Sequence, residues 1–214
     1  MRAARFTSTN LLAVASVVAF VVLAVVASAG HVNGLDQDLR QVFRPDDVWG
    51  IWQQIFGNVV DGAAPEVALV VFALVAALTA VRRRSWRPLV FAGILALAAV
   101  VITQVAKAIV ARPDPQGHVG SFSGSFPSGH MVILLTCLGG VLLLWRERPP
   151  AWAWWVAVVA ELTMGLSLLL LSMHWFTDVI GGLLLAVPLL VVAASPRFLT
   201  PVHRTAPHSV GSLS

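Results

Sequence analysis

The chain has one cysteine, Cys137, and one lysine, Lys107, and only 11% of its 214 residues are charged. A lone cysteine excludes an intrachain disulfide and a cysteine-rich zinc site, and within an apolar run it suits a small packing residue. Charge this sparse, with 58% hydrophobic residues and a mean hydropathy of +0.85, excludes an ordinary soluble domain. The other basic residues are arginines, and no basic groove interleaved with aromatics is visible among them. The net charge of +4 therefore gives no reason to expect a nucleic-acid partner. No internal repeat is apparent.

What the chain has in quantity is long apolar runs. A helix crossing a bilayer needs roughly 20 mostly apolar residues at about 1.5 Å each. Six stretches qualify, at about 11–29, 63–81, 88–111, 129–145, 151–172 and 176–195. The expected fold is an all-α integral membrane protein, with six transmembrane helices in one domain over 1–200 and a disordered cytoplasmic tail at 201–214. Only a polar cluster around His174 separates the last two runs, but Pro188 and Gly181-Gly182 argue against one rigid rod. The first run, between Arg2, Arg5 and Ala27-Ser28-Ala29, resembles a secretory signal. It exceeds the usual apolar length of about 7–15 residues, so a retained helix is expected.

An even number of spans puts both termini on one side, and arginine placement says which. Arg2, Arg5, Arg82, Arg83, Arg84, Arg87, Arg146, Arg148, Arg197 and Arg204 all flank the same ends of the spans, which marks that side as cytoplasmic. The opposite loops carry Asp36, Asp38, Asp46, Asp47, Asp61 and Asp114, with Arg40, Arg44 and Arg112. In one of these outer segments Trp49, Trp52, Phe56 and Val59 recur at helical spacing, which fits an interfacial helix as well as a loop with aromatic anchors.

Three polar motifs reach that outer face. Lys107 ends the third span, followed by Arg112-Pro113-Asp114-Pro115; alone it reads as a snorkelling anchor. Pro127-Ser128-Gly129-His130 opens the fourth span, where a helix N-terminus offers free N–H groups to an anion; alone it reads as a capped helix with an interfacial histidine. His174 and Asp178 stand four apart, the spacing that brings side chains to one helix face. A carboxylate beside an imidazole suits a nucleophilic or proton-transferring histidine, although such a pair also binds metal or merely satisfies a hydrogen bond. The uncommon feature is all three on one face. Glu161, near the middle of the fifth span, reads best as a protonated or hydrogen-bonded group facing another helix.

From about Gln104 to Gly182 the chain resembles the type 2 phosphatidic acid phosphatase (PAP2) superfamily, whose bacterial members are six-helix membrane phosphatases. The family pattern is a lysine, six residues and Arg-Pro; then Pro-Ser-Gly-His; then Ser-Arg, five residues, His and, four later, Asp. Pro127 to His130 match the second block, and His174-Trp175, Asp178-Val179 and Gly182 match the third and its continuation. The resemblance implies a metal-independent, cofactor-free phosphatase acting on a lipid phosphate or diphosphate. His174 would be the nucleophile, Asp178 its orienting partner and His130 the general acid and base. Lys107, Ser128 and Gly129 would bind the phosphate oxygens.

Two arginines depart from this pattern. Asp114 occupies the first arginine position and Leu168 follows Ser167 where the second belongs. Two like charges about 4 Å apart repel by roughly 4 kcal/mol at an effective dielectric near 20, so Asp114 is expected to turn away from a bound phosphate or to pair with a cation. Arg112 is the candidate to replace one lost arginine, with His118, Ser121 and Ser123 as further donors. The alternative reading is a weakened or inactive family member that binds or moves a lipid head group. A haloperoxidase-like role is disfavoured by the six spans. Phosphatidic acid, phosphatidylglycerol phosphate and polyprenyl phosphates or diphosphates all fit the head-group chemistry.

Overall fold

The computed structural model describes residues 8–117 and 124–203. Arg2, Arg5, His118, Ser121, Ser123 and Arg204 lie outside them. Helix follows helix: α1 (Ser8–Ser28), α2 (Asn33–Phe43), α3 (Ile51–Gly62), α4 (Pro65–Arg83), α5 (Arg87–Val110), α6 (Gly129–Trp145), α7 (Ala151–Leu170), α8 (Phe176–Ala193) and α9 (Pro196–His203), with a short 3-10 turn at Pro45–Asp47. The six expected spans correspond to α1, α4, α5, α6, α7 and α8. Five apolar stretches are long enough to cross a membrane unaided, and α6 is a shorter apolar helix of 17 residues.

The bundle is apolar outside as well as inside, as a hydrocarbon solvent requires. Leu11, Val18, Leu74, Leu97, Ile109 and Leu162 are between 57% and 77% exposed. Helix contacts instead use small residues, among them Ala68, Ala76, Ala92, Ala99, Ala153 and Ala157, all buried, because close backbone approach replaces the hydrophobic drive between helices in lipid. α6 is the central helix and packs on α4, α5, α7 and α8, while α1 lies along α8. Gly182 of α8 sets one close approach, against the start of α6. A Cβ there would meet the Met131 Cβ at 2.6 Å and the Ser128 carbonyl at 2.9 Å.

At the end remote from the two histidines, Arg83 donates to the carbonyls of Leu144 at 2.8 Å and Val202 at 3.0 Å, tying α4 to α6 and α9. Helix α9 runs past the 200/201 boundary expected from sequence as far as His203, and residues 204–214 lie outside the described part. At the histidine end, α3 is a helix where the Trp49 to Val59 periodicity allowed one, and it packs against α7. Helix α2 has no counterpart in the sequence reading. It buries Asp36 and half-buries Leu39 and Phe43 on one face, leaving Leu35 and Val42 exposed.

Gly182→Ala should push α6 and α8 apart and destabilise the bundle by about 1–3 kcal/mol, the usual cost of overpacking. Gly93→Ala, where an added Cβ meets nothing within 4 Å, should not. Thermal unfolding of the two variants in detergent checks the contrast.

Candidate active site

Helix α6 is shorter than its neighbours because the chain leading into it is not helical. Residues Gly124 to Ser128 are buried, and irregular backbone at membrane depth is tolerated only when its polar groups are satisfied by protein. Here they are. Ser125 N–H donates to the Arg112 carbonyl at 2.8 Å, Ser128 N–H to the Asp178 carbonyl at 3.0 Å, and Lys107 Nζ to the Gly124 carbonyl at 2.6 Å. A side chain at 124 would put its Cβ 2.9 Å from the Lys107 carbonyl oxygen, so the close crossing with α5 requires glycine. This packing recesses the start of α6 into the bundle.

Ser128 occupies the N-cap position, yet its hydroxyl makes no capping bond and is buried without a partner. The first backbone bond back to it comes from Val132, so the amides of Gly129, His130 and Met131 lie ahead of the helical ladder. His130 projects from this first turn. Its ring centroid stands 6.0 Å from that of His174, the two rings edge to face. Lys107 comes alongside, its Cε lying 3.8 Å from where a Cβ on Gly129 would be. Lys107, Ser128, Gly129, His130 and His174 therefore gather in one cluster at the ends of the spanning helices.

The His174/Asp178 pair forms, but not by sharing a helix face. Helix α8 begins at Phe176 with Trp175 as its N-cap, so His174 lies outside it. Asp178 is the third helical residue and folds back over the N-terminus. Its Oδ2 accepts from Trp175 N–H at 3.0 Å and faces His174 Nδ1 at 3.4 Å. Its Oδ1 accepts from Arg112 Nη1 at 3.0 Å. The carboxylate is wholly buried and bonded on both oxygens.

Arg112 is held by acceptors from two other segments of the chain. Its Nη1 donates to Thr177 Oγ1 at 2.7 Å as well as to Asp178, and its Nη2 donates to Asp36 Oδ2 at 2.6 Å and Asn33 Oδ1 at 3.3 Å. Its guanidinium also lies over the Trp175 ring, 5.3 Å from the centroid. Asp114 Oδ1 accepts the Gln116 N–H at 2.8 Å and so shapes the turn after Arg112. Leu168 is fully buried. Sequence reasoning missed Asp36 and Thr177, because a single acid in a polar connecting segment carries no signal of where it packs. Both carboxylate oxygens of Glu161 are buried without a hydrogen bond, at the edge of an apolar cleft of about 430 Å³ between α7 and α8. Among the described residues no group of three His, Cys, Asp or Glu side chains is placed to hold a metal.

A multi-pass helical bundle with His and Asp at the head of its last spanning helix, facing a Ser-Gly-His helix start and a lysine, defines a recognisable class. The PAP2 superfamily model matches residues 88–198, about half of the chain, and the protein belongs to that superfamily. Its structure resembles the crystal structure of a transmembrane PAP2-type phosphatidylglycerolphosphate phosphatase from Bacillus subtilis. The TM-score is 0.75 at 21% identity, covering 91% of this chain and 98% of that one. An undecaprenyl-diphosphatase from Sulfolobus acidocaldarius is 32% identical over 95 residues, 41% of this chain. The match spans 44% of that relative, less than half its length.

Proposed function

We propose that the protein is a membrane lipid phosphate or diphosphate phosphatase that works through a phosphohistidine at the extracytoplasmic face. The observation that carries this reading is the cluster in which His130 and His174 stand 6.0 Å apart beside Lys107, close enough for both rings to touch one phosphate group. His174 attacks phosphorus through Nε2, since Nδ1 faces Asp178. The bond to the lipid oxygen breaks as protonated His130 gives its proton to that oxygen, and the lipid leaves. His130, now neutral, takes a proton from water. The water oxygen attacks phosphorus, the P–N bond breaks, and inorganic phosphate departs. Asp178 accepts the Nδ1–H throughout and stabilises the positive imidazole.

Charge on the nonbridging oxygens is met by Lys107, the Ser128 hydroxyl and the amides at the start of α6, donors already in place before substrate arrives. The cluster sits at one end of the spans, so the substrate is a phosphate held at head-group height on an apolar anchor. Both relatives named above are described as acting on such lipids, which agrees with this reading. Arg82, Arg83, Arg84, Arg87, Arg146, Arg148 and Arg197 gather at the opposite ends of the helices, which supports an extracytoplasmic cluster.

A second reading, a head-group binder without turnover, draws on Leu168 and Asp114, neither of which supplies a cation where the family pattern has arginine.

Purified protein should release phosphate from one or more members of a panel of lipid phosphates and diphosphates, and His174→Ala should lower that rate at least about a thousandfold, as loss of a nucleophile does. A His174→Ala rate equal to the parent's removes the proposed nucleophile. For the second reading, the double change Asp114→Arg and Leu168→Arg is decisive: a large gain from an inactive parent supports it, and an active parent rules it out. In a Cys137→Ser background, an impermeant thiol reagent applied to intact cells should label Asp38→Cys and not Arg148→Cys; the opposite pattern reverses the orientation.

A further inference from the structure

We propose that Asp36 and Arg112 are a positioning pair that orients Asp178, and through it His174, for phosphoryl transfer, so that helix α2 is part of the catalytic apparatus without touching substrate. The proposal rests on the reading of His174 as nucleophile. Its basis is the order of contacts. Asp36 Oδ2 accepts from Arg112 Nη2 at 2.6 Å and from Thr177 Oγ1 at 2.6 Å, while Asp36 Oδ1 accepts from Thr177 N–H at 3.0 Å. Arg112 Nη1 then reaches Asp178 Oδ1 at 3.0 Å, leaving Oδ2 to face the imidazole. The side chains of Asp36 and Asp178 have no exposure and that of Arg112 only 5%, so water does not screen these charges.

Geometry and charge make separate contributions. The Arg112 Nη1 bond to Oδ1 supplies the second anchor that fixes the plane of the Asp178 carboxylate, which otherwise turns about its Cβ–Cγ bond and takes Oδ2 away from His174. Trp175 N–H holds Oδ2 alone, one bond where two are needed to set a plane. A single arginine bonded only to Asp178 would also cancel the negative charge that His174 requires as it becomes positive. Asp36 shares that arginine, so the three groups together stay negative. The same pair ties α2 to the start of α8.

The arrangement also separates Arg112 from the role the sequence suggested for it. Both terminal nitrogens are engaged, by four acceptors on Asn33, Asp36, Thr177 and Asp178. An arginine that binds phosphate changes KM when altered; one that orients the nucleophile changes kcat.

The test compares purified parent, Asp36→Asn, Arg112→Lys and the exposed-site control Asp38→Asn on the lipid phosphate the parent hydrolyses best. Asp36→Asn and Arg112→Lys should each lower kcat about 10–100-fold, the range for lost outer-shell partners, with KM held within about twofold. Asp38→Asn should match the parent. Arg112→Lys keeps the buried positive charge and serves if Asp36→Asn does not fold. Unchanged kcat in either folded variant overturns the proposal, as does a rise in KM with kcat intact. The ¹⁵N-labelled parent should show a downfield His174 Nδ1–H proton resonance that is lost or shifted upfield in either folded variant. This readout needs no turnover: a parent without phosphatase activity defeats the functional reading, while an unmoved resonance defeats the positioning pair.

Discussion

A carboxylate with no access to solvent, at the edge of a bilayer, is the constraint around which this end of the molecule is built. Leaving such a group unpaired is costly, so donors must be brought to it from wherever the chain can supply them. Asp178 draws Arg112 from the end of α5, the Trp175 amide from the α7–α8 connection and His174 from the same connection. Its carbonyl accepts from Ser128 at the head of α6. Asp36 extends the set to α2 by gripping both Arg112 and Thr177. Satisfying one buried charge thus brings together the ends of three spanning helices and a peripheral one, and the cluster around the two histidines is the result.

The bundle makes this convergence possible by keeping its helices close. Small residues at the contacts allow α6 to sit at the centre, and the nonhelical approach through Gly124 to Ser128 starts that helix below its neighbours. A longer α6 would carry His130 outward, away from His174. Its shortness is a positional device, secured by Lys107 holding the Gly124 carbonyl from the adjacent helix. Lys107 therefore has two demands on one ammonium group, a backbone tether and the proposed substrate, and its three N–H donors can serve both.

Much of this was legible in the sequence. All six apolar stretches became helices at nearly the expected bounds, because about 20 consecutive apolar residues have no other stable arrangement in lipid. Lys107, Ser128, His130 and His174 were also placed at one end, since span counting alone decides which ends share a face. The His174/Asp178 contact was anticipated for the wrong reason: an N-terminal residue of α8 folds back on the chain preceding it, and the two do not lie on a common helix face. Helix α2, at 11 residues, is too short for the span criterion by which the other helices were found.

Sequence by itself determined the number of crossings, the end at which the polar motifs meet and the family, because hydropathy and spacing act along the chain and need no partner. Only tertiary structure decided what Arg112 touches. Its neighbours come from segments more than 60 residues away on either side, Asn33 and Asp36 before it and Thr177 and Asp178 after it. Whether a guanidinium faces a ligand or a buried acid depends on which acceptors the fold carries within its reach, and no local pattern encodes that.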